Sequence, residues 1–191
     1  MAENDSHHLI YGHLTDFITG EILVDTDDER FRQQLARLLV EERGFAKGEV
    51  EPRQIIETLF AGQFVSSKID FVVRLAGRRV LLLRYAPGSL VTRQRPALAA
   101  ARVLDPRQVI PLAVVSNGQD AELLDSHSGK VLAQGLVSIP QRGKLVSQLE
   151  GLDFSPLPEK RREPELRILN AFDVEVCCAG APCALPQAHE G

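Results

Sequence analysis

The sequence of 191 residues has no tryptophan, a single methionine and no long apolar run. Its apolar stretches are far shorter than the roughly 18 residues that a membrane-spanning helix needs. The N-terminal residues, MAENDSHH, are polar and acidic, so we expect no signal peptide. These absences predict a cytoplasmic protein with no membrane partner.

Cysteine is also scarce, and its distribution is uneven. The three cysteines are Cys177, Cys178 and Cys183, so none can cross-link the body of the chain, which favours a reducing compartment. Three thiols without a fourth ligand are a weak zinc signal. The histidines near the N-terminus have no carboxylate or thiol spacing that would complete a metal site. The composition therefore predicts no cofactor.

Length and hydrophobic content indicate one main domain. A chain of 191 residues with 44% hydrophobic residues can bury one sizeable core. Pro156 and Pro158 indicate a linker before a final helix, and the last residues show no periodic pattern. The expected organisation is a flexible N-terminus (1–14), one domain (15–152), a linker with a C-terminal helix (153–173) and a disordered cysteine-containing tail (174–191).

The stretch from residue 67 to residue 89 predicts a β-hairpin. Residues 69–75 and 80–85 are apolar and rich in β-branched side chains, and Ala76-Gly77 between them suits a turn. With a two-residue turn, Asp70 faces Leu83. This pairing depends on the turn, because a change of one residue moves every partner.

The same register places Lys68 opposite Tyr85. Side chains two residues apart share a face of the sheet, so Lys68 and Tyr85 are expected on the face that carries Asp70 and Leu83. The hairpin therefore predicts one four-residue cluster that combines an acid, a base, an aliphatic side chain and a phenol.

Helix and strand signals continue on both sides of the hairpin. Thr26 followed by Glu29 is a capping box, and Gly44 ends the apolar helical pattern that follows. The order strand, helix, buried strand after the hairpin predicts an α/β domain. The remaining patterns predict a strand at 55–60, a helix at 90–103 capped by Ser89, a buried parallel strand at 109–116, a hairpin at 121–125 and 130–133, and helices at 141–149 and 159–172.

Three stretches, in this order and spacing, resemble the N-terminal nuclease domain of type I restriction enzyme R subunits, in a small stand-alone form. They are an Arg-Gln at 32–33 that leads to LVEERGF at 39–45, KIDFVV at 68–73, and VVSNG at 114–118. The resemblance covers roughly residues 15–135. It implies the restriction-endonuclease-like core of the PD-(D/E)xK superfamily, an α/β fold in which helices flank a central mixed β-sheet.

The catalytic residues that the resemblance implies are mostly replaced. Where the family has Glu-x-Lys on the second hairpin strand, this chain has Leu83 and Tyr85, and the next helix carries alanines where such nucleases have a glutamine. Asp70 is left as a vestigial catalytic residue, with Glu29 on the preceding helix as a weaker candidate. Lys68 is a candidate substitute for the missing lysine.

Phosphodiester hydrolysis in this fold depends on two acidic ligands that hold Mg²⁺, which activates a water and stabilises the developing charge. A leucine binds no metal, and a tyrosine phenol carries no positive charge near neutral pH. Mg²⁺ is therefore expected as a cofactor, with Asp70 as its ligand, only if the chain is an active nuclease. Asp70 can alternatively cap a turn, and Glu29 can simply cap its helix.

Arginine is concentrated in one part of the chain. Residues 74–107 contain eight arginines and one acid, a charge of +7, which leaves −11 on the rest of a chain whose net charge is −4. Such a basic zone is compatible with a phosphate-contacting face. Solvated arginines at strand edges and on a helix face give the same pattern.

The sequence supports three hypotheses. The first is a catalytically inactive nuclease homologue with a nucleic-acid-binding or regulatory role, in which Arg84, Arg93 and Arg95 contact the phosphates of DNA or RNA. The second is a protein-interaction module or homodimer that uses the apolar face at Leu83 and Tyr85. The third is a Mg²⁺-dependent endonuclease with a rearranged active site.

Overall fold

The computed structural model describes residues 10–60 and 63–172. The strands are β1 (Ile10–Thr15), β2 (Ile22–Thr26), β3 (Val50–Phe60), β4 (Gln63–Leu75), β5 (Arg78–Tyr85), β6 (Leu112–Ser116), β7 (Ala121–Asp125) and β8 (Val131–Gln134). The helices are α1 (Asp27–Arg37), α2 (Val91–Val103), α3 (Arg142–Gln148) and α4 (Glu159–Phe172). In these two ranges, β1 and β2 form a two-stranded sheet, and the other strands form a six-stranded mixed sheet in the order β3-β4-β5-β6-β7-β8.

Helices bury the large sheet on both faces, which gives three layers. On one face, α1 and α3 cover a core that includes Leu83 and Tyr85. On the other face, α2 and α4 cover a core that includes Val72, Leu82 and the alanines of α2. The expected α/β fold, with a central mixed sheet flanked by helices, is confirmed.

The first helix begins where the sequence predicts. Thr26 is the N-cap of α1 and accepts a hydrogen bond from the backbone N–H of Glu29 at 3.2 Å. Beyond α1 the chain continues as one wider helical turn, Leu38–Glu42. It leaves the helical path at Gly44, whose φ of +78° lies in the left-handed region that favours glycine.

The predicted strand, helix and parallel strand are present as β5, α2 and β6. β5 and β6 pair in parallel, and every residue of β6 is buried. Burial on both faces explains the unbroken apolar run in this part of the sequence. The predicted cap is wrong in one detail, because α2 begins at Val91 and its N-cap residue is Leu90, not Ser89.

The register of the β4–β5 hairpin differs from the predicted one. The turn has two residues, Ala76-Gly77, as expected, but a bulge next to Val73 inserts one extra residue in β5. As a result, Phe71 and not Asp70 lies opposite Leu83. The predicted pairing was wrong because a turn fixes the register only as far as the first irregularity.

The alternation of side chains along β4 also breaks at Asp70. Ile69 packs in the core beneath α2, whereas Phe71, two residues on, packs in the core beneath α1. Opposite this point in β3, between the partners of Ile69 and Phe71, Arg53 has a left-handed φ of +51°. This irregular segment places the Asp70 side chain beside α1.

Both ends of the described chain belong to the fold. Residues 10–14, which the sequence assigns to a flexible N-terminus, form most of β1. α4, predicted as a helix after a linker, packs against α2 and buries Leu169 completely. The predicted cysteine-containing tail, 174–191, lies outside the described residues. Across 10–60 and 63–172, no helix has both the length and the apolar character needed to cross a bilayer.

Candidate functional site

The side chain of Asp70 lies between α1 and the end of β5. Its Oδ1 accepts a hydrogen bond from Arg32 Nε at 2.6 Å, and its Oδ2 accepts one from the backbone N–H of Tyr85 at 2.7 Å. The side chain is only 9% exposed, so both bonds lie in a largely desolvated environment. Asp70 therefore ties β4 to β5 through one oxygen and to α1 through the other.

Arg32 supplies the positive charge beside Asp70. Its guanidinium lies 3.5 Å from a carboxylate oxygen of Glu29 and 5.5 Å from the ring centre of Tyr85. Burial disfavours the charged form, but the charge and hydrogen bond of Asp70 outweigh burial and raise the pKa of Arg32 above its usual value. The positively charged Arg32 side chain therefore occupies the Asp70 carboxylate, the group to which a metal ion would bind.

Tyr85, which the sequence resemblance aligns with a lysine, is held by packing and by a hydrogen bond. Its ring stacks on Phe31 of α1, with ring centroids 5.6 Å apart and an interplanar angle of 17°. Its hydroxyl donates to Asp28 Oδ1 at 3.2 Å. Burial, followed by the nearby Asp28 carboxylate, raises the pKa of Tyr85 to about 12. The phenol is therefore a neutral donor near pH 7 and cannot act as a lysine does.

Leu83, which the sequence resemblance aligns with a glutamate, is completely buried in the core beneath α1. Glu29 is brought close to Asp70, but Arg32 contacts both carboxylates and lies between their charges. Among the residues that the structure describes, no group of three or more His, Cys, Asp or Glu side chains could hold a metal ion.

A second polar network joins this site through Gln33. Its Nε2 donates to Glu29 at 2.8 Å and to Asp16 Oδ2 at 3.1 Å. Asp16 is 2% exposed and also pairs with Arg53. Burial alone would raise the pKa of Asp16, but hydrogen bonds from Thr19, Gln33 and Arg53 lower it below its usual value. The network fixes α1 against the loop between β1 and β2.

The Ser-Asn-Gly stretch that begins with the last residue of β6 contacts Phe31, which stacks on Tyr85. Gly118 has a φ of +87°, and a Cβ atom at this position would lie 2.4 Å from Cδ1 of Phe31. Asn117 closes the turn, because its Oδ1 accepts the backbone N–H groups two and three residues on, at 3.0 and 2.8 Å. This glycine therefore lets Phe31 reach the position from which it stacks on Tyr85.

Lys68, the candidate substitute for the lysine, lies on β4 two residues before Asp70. It is exposed on β4, and its backbone is opposite Ile55 of β3. The change of register removes it from the predicted position opposite Tyr85. The cation bonded to Asp70 is Arg32 of α1. The sequence had instead suggested Lys68 of β4 as the cation in this site.

Several arginines of the basic zone are paired with carboxylates of the same chain. Arg84 is half-buried on β5, and Arg93, near the start of α2, has a buried Nε without a hydrogen-bond partner among the described residues. The charge of the zone is thus partly cancelled on folding. The ion pairs, with distances of 2.6 to 2.8 Å, are Arg74–Glu51, Arg79–Glu51, Arg95–Glu165 and Arg102–Glu165.

The six-stranded mixed sheet flanked by helices is the architecture of a restriction-endonuclease-like domain. A model of the family described as the Type I restriction enzyme R protein N terminus matches residues 27–140, more than half of the chain. The chain belongs to this family, which confirms the resemblance seen in the sequence. The match runs from the first residue of α1 to a point beyond β8, so it includes the Asp70 site. No curated protein and no solved structure matches the chain.

Sequence reasoning missed the residues that surround Asp70. The Arg-Gln at 32–33 was the one available signal, since the family shows a similar pair, but no role followed from it. Phe31 and Asp28 gave no signal apart from their place on a helix. Which side chains meet Asp70 depends on how α1 packs on the sheet, and no local pattern encodes that packing.

Proposed function

We propose that this protein is a non-hydrolytic member of its family that acts as a nucleic-acid-binding module. The main support for a loss of hydrolysis is that both carboxylate oxygens of Asp70 are hydrogen-bonded, one to Arg32 and one to the backbone N–H of Tyr85. A buried aliphatic side chain, Leu83, and a neutral phenol stand where the family has glutamate and lysine. Of the set that would bind Mg²⁺ and activate water, Asp70 and the weaker candidate Glu29 remain, and Arg32 contacts both.

Binding of Mg²⁺ at Asp70 would require the displacement of Arg32. Mg²⁺ requires near-octahedral oxygen coordination, and one or two carboxylates normally supply its protein ligands. Removing one partner of a fully buried ion pair costs about 3–5 kcal/mol, and the cost here is lower because the Arg32 side chain is 32% exposed. Among the residues that the structure describes, the Glu29 carboxylate near Asp70 is itself bonded to Arg32 and Gln33, so the metal lacks the ligands that would offset this cost.

Arginines near α2 support a nucleic-acid ligand. Arg93, in the first turn of α2, is half-buried. Arg95 remains 41% exposed although it contacts Glu165, and Arg84 lies on β5 just before α2 begins. Guanidinium contacts to phosphate give binding that tolerates sequence changes and weakens as salt rises. A domain that occupies DNA or RNA without cutting it can regulate access to that site.

Fluorescence anisotropy with labelled duplex DNA, single-stranded DNA and RNA of mixed sequence tests the ligand. We expect affinity that falls as the KCl concentration is raised, and a salt slope about one unit smaller for each of Arg93→Gln and Arg95→Gln. Arg167→Gln is the control, because this arginine lies on the exposed face of α4 and pairs with Glu163. Absence of binding to all three probes at low salt would contradict the proposed ligand.

A cleavage assay tests the loss of hydrolysis separately. Plasmid DNA and single-stranded oligonucleotides are incubated with the protein in Mg²⁺ or Mn²⁺, beside an Asp70→Asn preparation purified in the same way. We expect no difference between the two preparations. Cleavage by the unmodified protein that disappears in Asp70→Asn would instead establish a rearranged nuclease site.

An open sheet edge favours a second candidate function, a homodimer. β8 is an edge strand whose four residues are all exposed, including Val131 (40%) and Leu132 (54%), and such an edge can pair with a second copy. The face at Leu83 and Tyr85 is covered by α1 and does not offer this surface. Sedimentation velocity should then show a dimer that Leu132→Lys dissociates and Val91→Lys, exposed on α2, does not.

A further inference from the structure

Glu165 of α4 bridges two arginines of α2. Its side chain is buried, and its two carboxylate oxygens lie 2.6 Å from Arg95 Nη1 and 2.8 Å from Arg102 Nη1. These arginines are seven residues apart, which is about two helical turns, so both lie on the face of α2 that α4 covers. Since α2 itself contains no acidic residue, α4 supplies their countercharge.

The two arginines differ in how firmly they are held. Arg102 is 15% exposed, and two further hydrogen bonds fix it, from Nε to the carbonyl oxygen of Ser126 at 2.7 Å and from Nη2 to that of His127 at 3.2 Å. Arg95 is 41% exposed, and within residues 10–60 and 63–172 its side chain is bonded to Glu165 alone. Arg95 is therefore the arginine that can turn toward solvent while Arg102 stays in place.

The Glu165 carboxylate is held in place independently of Arg95. One oxygen stays bonded to the fixed Arg102, and the same helix is anchored one turn further on, where Leu169 is completely buried and Asn170 accepts a hydrogen bond from the hydroxyl of Thr58 on β3. α4 also lies beyond the region that the family model matches, which ends at residue 140. A stationary anion from outside the matched region thus occupies an arginine of the basic zone.

We propose that Glu165 is an intramolecular competitor for the phosphate group that Arg95 binds, so that α4 lowers the affinity of the nucleic-acid site. This inference rests on the nucleic-acid-binding function proposed above. Carboxylate and phosphate oxygens accept the same charge-assisted hydrogen bonds from a guanidinium. Arg95 therefore exchanges one anion for the other when nucleic acid binds, whereas Glu165 keeps Arg102. The contact is autoinhibitory, because this exchange costs affinity that an unoccupied Arg95 would retain.

Nuclear magnetic resonance of the arginine Nε–Hε groups tests the exchange in the unmodified protein. Addition of duplex DNA of mixed sequence should shift the Arg95 signal, because its guanidinium changes partner. The Arg102 signal should stay in place, because its Nε–H remains bonded to the carbonyl oxygen of Ser126. If DNA binds and the Arg95 signal does not move, or if both signals move alike, the proposed exchange is wrong.

A double-mutant cycle measures the competition by fluorescence anisotropy with the same DNA at low KCl concentration. Glu165→Gln should tighten binding about two- to fivefold, the range expected for a partly exposed ion pair. In an Arg95→Gln background the same change should lose most of this effect, because the contested guanidinium is gone. Glu163→Gln, a mostly exposed carboxylate of α4, changes the net charge equally and should have a smaller effect than Glu165→Gln.

The outcomes separate this inference from the function on which it rests. If neither the unmodified protein nor a variant binds duplex DNA, single-stranded DNA or RNA at low salt, the nucleic-acid-binding function is wrong and the competition with it. If the protein binds but Glu165→Gln tightens binding equally with and without Arg95, the function stands and the competition is overturned. An equal effect of Glu163→Gln would also overturn it, because the affinity would then respond to net charge alone.

Discussion

The carboxylate of Asp70 accepts one hydrogen bond from a guanidinium and one from a backbone amide, at 2.6 and 2.7 Å. A carboxylate that binds Mg²⁺ directs an oxygen at the metal ion. Here the cation is the guanidinium of Arg32, a side chain of α1. In this protein, Asp70 therefore joins β4 to α1 and to β5.

At the residue scale, the first prediction concerns the Arg32–Asp70 pair. Arg32→Met should lower the free energy of unfolding by about 2–3 kcal/mol, because Asp70 is left buried beside the Tyr85 amide without a countercharge. Adding Asp70→Asn should recover part of this loss, since an asparagine oxygen can still accept the Tyr85 N–H. Urea unfolding measures both variants. If the double variant loses the sum of the two single effects, the two side chains are not coupled in the way proposed.

At the element scale, the turn after β6 and helix α1 depend on each other. Gly118 is the point of contact, since a Cβ there would lie 2.4 Å from the Phe31 ring. Gly129, in the turn between β7 and β8, has a similar left-handed φ of +74°, but the nearest atom to its Cβ position is at an ordinary 3.5 Å. Comparing alanine substitutions at the two glycines therefore separates the free-energy cost of a left-handed backbone from the cost of the clash with Phe31.

The second prediction follows from this pair of glycines. Gly118→Ala should destabilise the fold by about 2 kcal/mol or more, whereas Gly129→Ala should cost only about 1–2 kcal/mol, the penalty for a left-handed alanine. Thermal and urea unfolding of both variants provide the comparison. Phe31→Leu in the Gly118→Ala background should recover part of the loss. Equal destabilisation by both alanine substitutions would show that the Phe31 ring moves away from residue 118 without an energetic cost.

The third prediction concerns the contact between α2 and α4. Glu165 is 7% exposed and pairs with Arg95 and Arg102. Glu165→Gln should therefore release Arg95 and remove the countercharge of Arg102, which keeps its hydrogen bonds to the carbonyl oxygens of Ser126 and His127. We expect weaker α2–α4 packing, a lower free energy of unfolding, and tighter nucleic-acid binding at low salt. Glu163→Gln, which alters a mostly exposed carboxylate on the same helix, is the control. Unchanged nucleic-acid affinity in Glu165→Gln would exclude this face of α2 from the binding surface.

At the scale of the whole molecule, buried or bonded carboxylates connect elements that are distant in sequence. Asp16 joins the loop between β1 and β2 to α1 and β3, and Glu49 joins the segment before β3 to α3 through Arg142. Hydrogen bonding lowers the pKa of both carboxyl groups below their usual values of 3.8 and 4.5. A group with a lowered pKa in the folded state stabilises the fold above its usual pKa, and this contribution disappears as the pH falls.

The fourth prediction is the resulting pH dependence. The free energy of unfolding should be level near neutral pH and should decrease as the pH falls below about 5, because protonation breaks these bonds. Asp16→Asn should be less stable at pH 7 but should lose less stability on acidification than the unmodified protein. Urea titrations at several pH values between neutrality and pH 3 measure the two slopes. Parallel slopes would show that Asp16 does not contribute to acid sensitivity.

Local patterns predicted much of the fold but little of the site. The cap at Thr26, the turn at Ala76-Gly77 and the range of α4 could be predicted because each depends on neighbouring residues. The bulge beside Val73 could not, since it reflects how two faces of the sheet pack and not the turn itself. The bond between Arg32 and Asp70 joins residues 38 positions apart and depends on the docking of α1.

The stacking of Tyr85 gives the molecule an internal optical reporter. The chain has no tryptophan and only two tyrosines, and the other one, Tyr11, is 49% exposed on β1. Tyr11→Phe would leave a single fluorophore, whose hydroxyl already touches the Asp28 carboxylate, a proton acceptor that quenches phenol emission. Any event that separates Tyr85 from Asp28, whether a ligand, a metal or unfolding, would then brighten the protein without an added label.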